Sequence, residues 1–384
     1  GSFMVSKSKQ IYKCFGCNAG GDVISFVMRW ENVDFMEALK ILARKCGITL
    51  DRNISEEEKK KIQEINKFRE IHTEAARFYF ANLLRTKNPG YEYLRKRGLS
   101  DKIIKKFGLG YSPNSWNSLM NYLLSKGYDK TDLVKCGLIT HKTESNKYFD
   151  RFRNRVMFPI FNYNGKVIGF GGRVLDDSLP KYLNSPETLV FNKRMNLYGL
   201  NIARTTRKKY LILCEGYMDV ISMHQAGFTN AVASLGTALT SGHASLVKRY
   251  TQEVLLLYDS DEAGVKAALR AIPILREAGV NSRVVNLRPH KDPDEFIKAE
   301  GAEAFEKRLE AASDSFMFRV SIASGDFPMD EPQGQNRFFE RCAQYLLELS
   351  DELERNLYIE AIVKEYRRYG ISVEDLRKRV NTLA

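Results

Sequence analysis

The sequence predicts an α/β protein. A small parallel sheet covered by helices on both faces follows an N-terminal α/β region and precedes a helical region. Between residues 210 and 287, four short apolar runs alternate with amphipathic stretches. That alternation is typical of parallel strands joined by helical crossovers. After residue 300 no run has the pattern of a strand, and the apolar residues recur at helical spacing.

The N-terminal part begins with a short strand predicted at 10–14 and a helix that Asp22 can cap. A second helix is predicted at 34–45. Ser55 and Glu58 have the spacing of a capping box and open a long helix. The start of that helix is highly charged, which predicts a linker.

Short helices and a β-hairpin are predicted next. Glycines separate the helices, as is common at helix ends. Two apolar runs flank a polar tetrapeptide, which is the pattern of a hairpin. The predicted ranges are helices at 89–97, 100–106, 115–126 and 130–136, and strands at 156–161 and 166–170.

The parallel sheet and the helical region follow. Ser372 and Asp375 form a second capping box, which opens the last helix. The predicted strands are 210–215, 230–235, 254–258 and 282–287, with helices at 217–226, 241–250 and 263–278 between them. The later helices are predicted at 302–324, 335–349, 351–369 and 372–382.

Composition narrows the class of partner. The 384 residues include 60 Lys and Arg against 47 Asp and Glu, which gives a net charge of +13. Residues 147–209 alone carry 13 Lys and Arg against 4 Asp and Glu. A basic stretch that also contains glycines and aromatic residues favours nucleic acid over a merely solvated surface. Six scattered cysteines fit a reducing compartment. No apolar run is long enough to cross a membrane, so we expect a cytoplasmic protein without a membrane partner.

Acidic residues follow three of the predicted strands. Carboxyl ends of parallel strands meet at one edge of a sheet, where ligands bind. Carboxylates packed there repel one another unless a cation is present, and hard oxygen ligands suit Mg²⁺ or Mn²⁺. One such acid alone would be interpreted as a helix cap, whereas three clusters favour a metal site. The clusters are Glu215 with Asp219, Asp259 with Asp261, and Asp292 with Asp294.

Longer motifs resemble a known family. EGYMD, LYDSD and DPDEF resemble the Toprim domain, which primases, topoisomerases and some nucleases share. Further segments resemble the bacterial replicative DNA primases of the DnaG type, and the resemblance covers nearly the whole chain in order. These segments are KQIYKCFGCNAGGDVISF, RFRNRVMFPI, GFGGRVL, PKYLNSPET, LYGL and SLGTALT.

The resemblance implies a domain order and an activity. The activity is synthesis of short RNA primers on single-stranded DNA from ribonucleoside triphosphates. The implied catalytic residues are Glu215, Asp259 and Asp261, which also bind metal together with Asp219, Asp292 and Asp294. Whether Glu215 is a metal ligand or a general base stays open. The implied domains are a zinc-ribbon half at 1–50, a charged helical linker at 51–75, an α/β subdomain at 76–205, a Toprim subdomain at 206–298 and a helical subdomain at 299–384.

The basic segment acquires a role from the same resemblance. Arginines at 151, 153 and 155 alternate, so on one strand all three would face one side, with Phe152 toward the core. Arg173 follows Gly171 and Gly172, where absent side chains would let a polyanion approach the backbone. The residues implied to hold template or nucleotide are Arg151, Arg153, Arg155, Arg173, Lys181, Tyr182 and Lys193.

The cysteine pair Cys14 and Cys17 has the spacing of two zinc ligands. A tetrahedral site needs four ligands, and the family's Cys-x-x-His pair lies upstream of the first residue given. We therefore expect a truncated zinc ribbon that does not bind zinc fully here, although the intact parent does. The helicase-binding domain of the family is likewise expected to be absent from this chain.

Two other classes of protein have the same acidic and basic residues. A Toprim nuclease or topoisomerase would cleave DNA with the same acids, although nothing marks the tyrosine nucleophile that a topoisomerase needs. A non-catalytic nucleic-acid-binding module would tolerate loss of the acids, whereas a polymerase would not.

Overall fold

The computed structural model describes residues 3–16, 20–31, 35–48, 56–85 and 88–384. The chain forms two compact units. The first comprises residues 1–192 and 199–207, and the second comprises 193–198 and 208–384. Both units mix helices with sheets, which confirms the predicted α/β class.

In its described residues the first unit has three antiparallel sheets, with strand orders β1-β2-β3, β4-β7-β8-β9 and β5-β6. The strands are β1 Phe3–Ser6, β2 Ile11–Cys14, β3 Gly20–Asp22, β4 Gly110–Ser112, β5 Ile139–Lys142, β6 Lys147–Asp150, β7 Arg155–Phe161, β8 Val167–Val174 and β9 Tyr182–Asn184. The helices are α1 Val23–Trp30, α2 Phe35–Cys46, α3 Glu56–Arg85, α4 Pro89–Lys96, α5 Asp101–Phe107, α6 Ser118–Ser125, α7 Lys130–Lys135 and α8 Leu200–Ala203.

Several local predictions for this unit are confirmed. Asp22 caps α1 by accepting a hydrogen bond from the Ser25 amide at 2.8 Å. β7 and β8 form the predicted hairpin. Ser55 and the side chain of Glu58 lie outside the described residues, so their capping box stays a prediction.

The later part of α3 is core rather than linker. Phe68, Ile71 and Ala75 are each 2% exposed or less and belong to the main apolar cluster of the first unit. Helix α3 runs unbroken through these positions. Residues 68–75 of the expected linker therefore pack as part of the globular unit.

The three alternating arginines do not share a strand. Arg151 and Arg153 lie in the bend between β6 and β7, and only Arg155 belongs to β7. Asn154 has a φ of 49°, which interrupts the extended backbone that the alternation requires. The prediction of one arginine face is therefore wrong, although Phe152 is fully buried as expected.

Arg155 is a buried structural residue. Its side chain is 6% exposed, and Nη1 donates to the carbonyl oxygens of Gly172 and Pro180, each at 3.0 Å. A Cβ at Gly172 would lie 2.9 Å from the Phe152 ring and 3.0 Å from Cδ of Arg155. This glycine therefore makes room for the packing of Phe152 and Arg155.

We expect Arg155→Met to destabilise the first unit. The substitution removes the hydrogen bonds that the buried guanidinium donates to the carbonyl oxygens of Gly172 and Pro180, which costs roughly 2–4 kcal/mol. Urea unfolding followed by circular dichroism measures this, with the exposed Lys166→Met as the matched control near zero. A change below about 0.5 kcal/mol for Arg155→Met, together with weaker DNA binding, would instead indicate that Arg155 contacts phosphate.

The second unit contains the predicted parallel sheet, in the order β11-β10-β12-β13-β14. Its strands are β10 Tyr210–Cys214, β11 Ala231–Ala233, β12 Glu253–Leu256, β13 Asn281–Val284 and β14 Ser313–Asp314. Its helices are α9 Tyr217–Gln225, α10 Ser241–Lys248, α11 Glu262–Glu277, α12 Pro293–Glu310, α13 Ser315–Ser324, α14 Pro332–Leu347, α15 Glu352–Glu365 and α16 Val373–Leu383.

The central strands are buried because their side chains are apolar on both faces. The residues of β10 from Leu211 to Cys214 are at most 1% exposed, as expected for a strand between two helical layers. β10 pairs in parallel with β11 and β12, and β12 pairs in parallel with β13. The carboxyl ends of these strands therefore share one edge.

One predicted helix is wrong. The range 302–324 was expected to be a single helix, but α12 ends at Glu310 and β14 follows at Ser313–Asp314. β14 pairs antiparallel with β13, and the Asp314 side chain then caps α13 through the amide of Met317 at 2.9 Å. The remaining helices, α13 to α16, enclose their own apolar core, and the Ser372–Asp375 capping box is confirmed.

Candidate active site

The carboxyl edge of the parallel sheet collects the predicted acids. Glu215 directly follows β10 and is exposed. Its Oε1 accepts a hydrogen bond from the backbone amide of Asp259 at 2.9 Å. This bond ties the residue after β10 to the loop after β12, so the ends of two neighbouring strands are held together.

Asp259 and Asp261 occupy the loop between β12 and α11. Asp261 caps α11, because its Oδ1 accepts from the Gly264 amide at 2.9 Å. A Cβ at Gly264 would lie 2.0 Å from the Asp259 carbonyl oxygen, so only glycine allows this loop to close onto the helix. Sequence reasoning missed this positioning role. The available signal was a glycine three residues after the last acid of DSD.

Two carboxylates at this edge are electrostatically strained. Burial raises the pKa of Asp219 to about 7, and the charges of Asp259, Asp292 and Glu215 add to the rise. Burial also raises the pKa of Asp259 to about 6, with Glu215, Asp292 and Asp261 as further causes. The amide of Gly216 offsets part of the effect by donating to Oδ2 of Asp219 at 3.0 Å.

The third acidic pair separates in the structure. The Asp292 side chain caps α12 by accepting a hydrogen bond from the Glu295 amide. Its charge also helps to raise the pKa of Asp219 and of Asp259. Asp294 is buried, and its two oxygens accept from Ser222 Oγ at 2.9 Å and Lys298 Nζ at 2.7 Å. Asp294 therefore holds α12 against α9, which is a structural task that competes with metal binding.

A divalent cation fits the chemistry of these acids, although they are not arranged as a finished coordination shell. Among the described residues, no group of three or more His, Cys, Asp or Glu side chains already converges closely enough to hold a metal ion. The raised pKa values of Asp219 and Asp259 nevertheless show several carboxylates acting on one another. A cation would relieve that repulsion, and oxygen ligands suit a hard ion. The residues that fit are Glu215, Asp219, Asp259, Asp261 and Asp292.

The predicted arginines are buried or half-buried, and each makes internal contacts. Arg151 Nη2 donates to the Asn184 carbonyl at 3.1 Å, so it supports β9. The Arg153 guanidinium stacks on the Trp116 ring at 4.2 Å, and that of Arg173 stacks on Tyr93 at 4.3 Å. Cation–π stacking of this kind orients a guanidinium while leaving its charge in place.

The remaining residues that are predicted to contact template or nucleotide are divided between the two units. Lys181 is exposed and Tyr182 is 38% exposed, at the start of β9 in the first unit. Lys193 belongs to the second unit, where its carbonyl oxygen lies 2.7 Å from Nε2 of the buried His243. These positions leave the side chain of Lys181 accessible to a polyanion.

We expect Lys181→Ala to weaken binding of single-stranded DNA equally for all template sequences. Removing one phosphate contact should reduce the slope of log K against log salt by about 0.7. Fluorescence anisotropy at several salt concentrations measures this slope, with the exposed Lys166→Ala as the charge-matched control. An unchanged slope together with an altered sequence preference would show that Lys181 does not contact phosphate.

Of the two predicted zinc ligands, Cys14 lies among the described residues and Cys17 does not. Cys14 lies in β2 and is half-buried. Cys17 lies outside the described residues, so the geometry of the pair is not defined. Whether these two cysteines bind zinc stays a prediction.

Comparison with known families defines the class of protein to which this chain belongs. Sequence-family models match at residues 1–58 (CHC2 zinc finger), 78–204 (DNA primase catalytic core, N-terminal domain) and 212–297 (Toprim-like). The last match coincides with the parallel sheet and its acidic edge. Fold and site thus define a Toprim protein of the primase class.

Individual relatives agree. A DNA primase of Clostridium acetobutylicum is 44% identical over 100% of this chain and 64% of its own length. The crystal structure of the Aquifex aeolicus primase zinc-binding and RNA polymerase domains is 36% identical, with a TM-score of 0.69, covering 98% of this chain and 88% of that one. A DnaG primase catalytic domain bound to ssDNA is 34% identical, with a TM-score of 0.70, covering 79% of this chain and 99% of that one. The chain belongs to the bacterial DnaG-type DNA primase family, as the resemblance indicated.

One expectation about domains is overturned. A further model, described as the DnaB-helicase binding domain of primase, matches residues 316–367. A helicase-binding domain was expected to be absent from this chain, and that expectation is wrong. The matched segment spans α13 to α15 of the helical bundle.

The chain spans less than two thirds of the length of several curated relatives named DNA primase. Within the described ranges, no helix has both the length and the apolar character needed to cross a bilayer.

Proposed function

We propose that this protein synthesises short RNA primers on a single-stranded DNA template from ribonucleoside triphosphates. The observation that carries the proposal is the set of mutually repelling carboxylates at the carboxyl edge of a Toprim-like sheet. Membership of the primase family supports this activity, and one solved relative was crystallised with single-stranded DNA.

The reaction is attack of a 3′-hydroxyl on the α-phosphate of a nucleoside triphosphate, which releases pyrophosphate. Mg²⁺ or Mn²⁺, when bound, supplies charge neutralisation and a lower pKa for the attacking hydroxyl. Glu215, Asp259 and Asp261 would hold the ion, and Asp219 and Asp292 would add negative charge around it. Asp294 is left out of this set, because Ser222 and Lys298 occupy its oxygens.

Glu215 has a second task besides ligation. One of its oxygens accepts from the Asp259 amide, so it fixes the loop that carries Asp259. The other oxygen remains available, either to a cation or to the proton of the attacking hydroxyl. Both roles are compatible with its exposed position at the strand end.

We assign template contact to Arg153, Arg173, Lys181 and Tyr182, and nucleotide contact to Lys193. Arg151 and Arg155 are removed from this group, since both donate to backbone carbonyls of distant segments, whereas Arg153 and Arg173 donate to carbonyls within three residues of themselves. Their effect on binding is indirect, through the position of β9 and the segment before it.

The wider setting follows from the family. Residues 316–367 contact a replicative helicase, by analogy with the family model that matches them. Zinc is bound at the N-terminal ribbon when the complete set of ligands is present, and the protein acts in the cytoplasm. Membership of the primase family favours primer synthesis over DNA cleavage and over passive binding.

Incubation with single-stranded DNA, labelled ribonucleotides and Mg²⁺ tests the proposal. The expected product is a ladder of short, ribonuclease-sensitive chains that requires both template and Mg²⁺. Cleaved template without new RNA would support a nuclease instead, and bound but unaltered DNA would support a passive module.

A further inference from the structure

A second concave site adjoins the acidic edge. A cavity of about 290 Å³ lies between α11, α13 and the carboxyl ends of β12 and β13, all within the second unit. Asp259 lines one part of its wall and Arg288 another. The cavity therefore lies at the edge where open α/β sheets bind ligands.

The floor of the cavity is apolar and includes an aromatic ring. Ala268 and Val284 are buried, at 2% and 7% exposure, and Val265 and Ile322 extend the same surface. Phe318 on α13 is half-buried and lines the cavity, without a ring contact to another described residue. A solitary aromatic face in a cavity is a platform on which a flat ring can stack.

The rim is polar and carries one cation. Ser260, Asn286, Ser313 and Ser321 contribute hydroxyl and amide groups. The exposed Arg288 guanidinium makes no hydrogen bond or ion pair with the described residues. An arginine of this kind is suited to bind a phosphate group, since its planar fork matches phosphate oxygens.

We propose that this cavity binds a single nucleotide, with the base against Phe318 and the phosphate at Arg288. Its volume is at the lower end of the range for small-ligand sites, which fits a mononucleotide. The inference rests on the proposed function, because it adds a nucleotide site to the sheet edge that holds the catalytic acids.

Binding is tested without divalent metal, so that no cation can bridge the neighbouring acids to the phosphate. Equilibrium dialysis of the full chain in EDTA compares AMP, adenosine and inorganic phosphate. AMP is expected to bind with a Kd of roughly 0.1–1 mM and at least about tenfold more tightly than either fragment. The proposal is overturned if inorganic phosphate binds as tightly as AMP, or if no AMP binding is detected at about 5 mM.

Three variants locate the site. Arg288→Ala removes the phosphate partner, Phe318→Leu removes the stacking face, and Ser321→Trp fills the cavity from an exposed helix position. Each is expected to weaken AMP binding about tenfold. Arg270→Ala, which removes an exposed arginine of α11 that does not line the cavity, is the control without effect.

The outcomes separate this inference from the proposed function. Primer synthesis without metal-free AMP binding overturns only the second site. Metal-free binding that the three variants weaken, without primer synthesis, overturns only the proposed function. AMP binding that Ser321→Trp and Arg288→Ala both leave unchanged places the nucleotide elsewhere.

Discussion

Asp259→Ala is expected to reduce primer synthesis by at least about 1,000-fold, since it removes a central carboxylate of the acidic edge. The charges of Glu215, Asp292 and Asp261 all act on Asp259. The Glu215 bond is made to the backbone amide of Asp259, so the loop keeps this anchor. Affinity for single-stranded DNA should stay the same or rise slightly, because a negative charge is lost.

The matched control for this substitution is Glu262→Gln. Glu262 is an exposed acid beside Asp261, at the first turn of α11, and forms an ion pair with the exposed Lys266. Its removal should change synthesis less than about twofold. Comparable losses in both variants would mean that general negative charge, rather than a ligand at 259, supports activity.

Asp219→Asn is expected to stabilise the metal-free protein while abolishing synthesis. The pKa of Asp219 is raised to about 7 in the folded state, first by burial and then by neighbouring charges. Between about pH 4 and pH 7 the Asp219 carboxyl therefore keeps its proton in the folded protein but loses it in the unfolded chain. The free energy of unfolding consequently falls as the pH rises through this interval. Asparagine keeps the shape without the charge, so a gain of roughly 1–3 kcal/mol is expected at pH 8 and almost none at pH 4.

Urea unfolding in EDTA at pH 4 and pH 8 measures this difference. Added Mn²⁺ should stabilise the parent protein more than the variant, because a cation relieves the same repulsion. A variant that is less stable than the parent at pH 8 without metal would show that Asp219 is held by favourable contacts rather than strained.

The acidic edge could be predicted because its local signals agree with its tertiary setting. Continuous apolar runs such as 210–214 specify strands that are buried on both faces, and the first polar residue after them must lie at the edge of the sheet. Asp259 and Asp261 follow from the same reasoning. None of this requires knowledge of distant contacts.

Asp292 and Asp294 separate because helix geometry replaces strand geometry there. In an extended chain, Asp292 and Asp294 would point to the same side. Asp292 instead caps α12 while Asp294 lies in its first turn, so the two side chains diverge and Asp294 reaches Ser222 on α9. The partner lies 72 residues away, and no local pattern encodes it.

Arg155 and β14 illustrate two further limits. An arginine in a basic segment predicts a phosphate contact, but three backbone carbonyls supplied by distant segments surround its side chain. Strand β14 has only two residues, too few for any periodic signal, and forms through its register with Arg283 and Val284. Both features are specified by tertiary contacts rather than by local sequence.

The central claim is that the acids at the carboxyl edge of the sheet hold divalent cations. Anomalous diffraction from crystals soaked in Mn²⁺ tests it most directly. We expect at least one strong peak within coordination distance of Glu215, Asp259 and Asp261, and none in crystals of Asp259→Ala. Saturating Mn²⁺ without a peak at these carboxylates, in crystals of protein that still synthesises primers, would contradict the account.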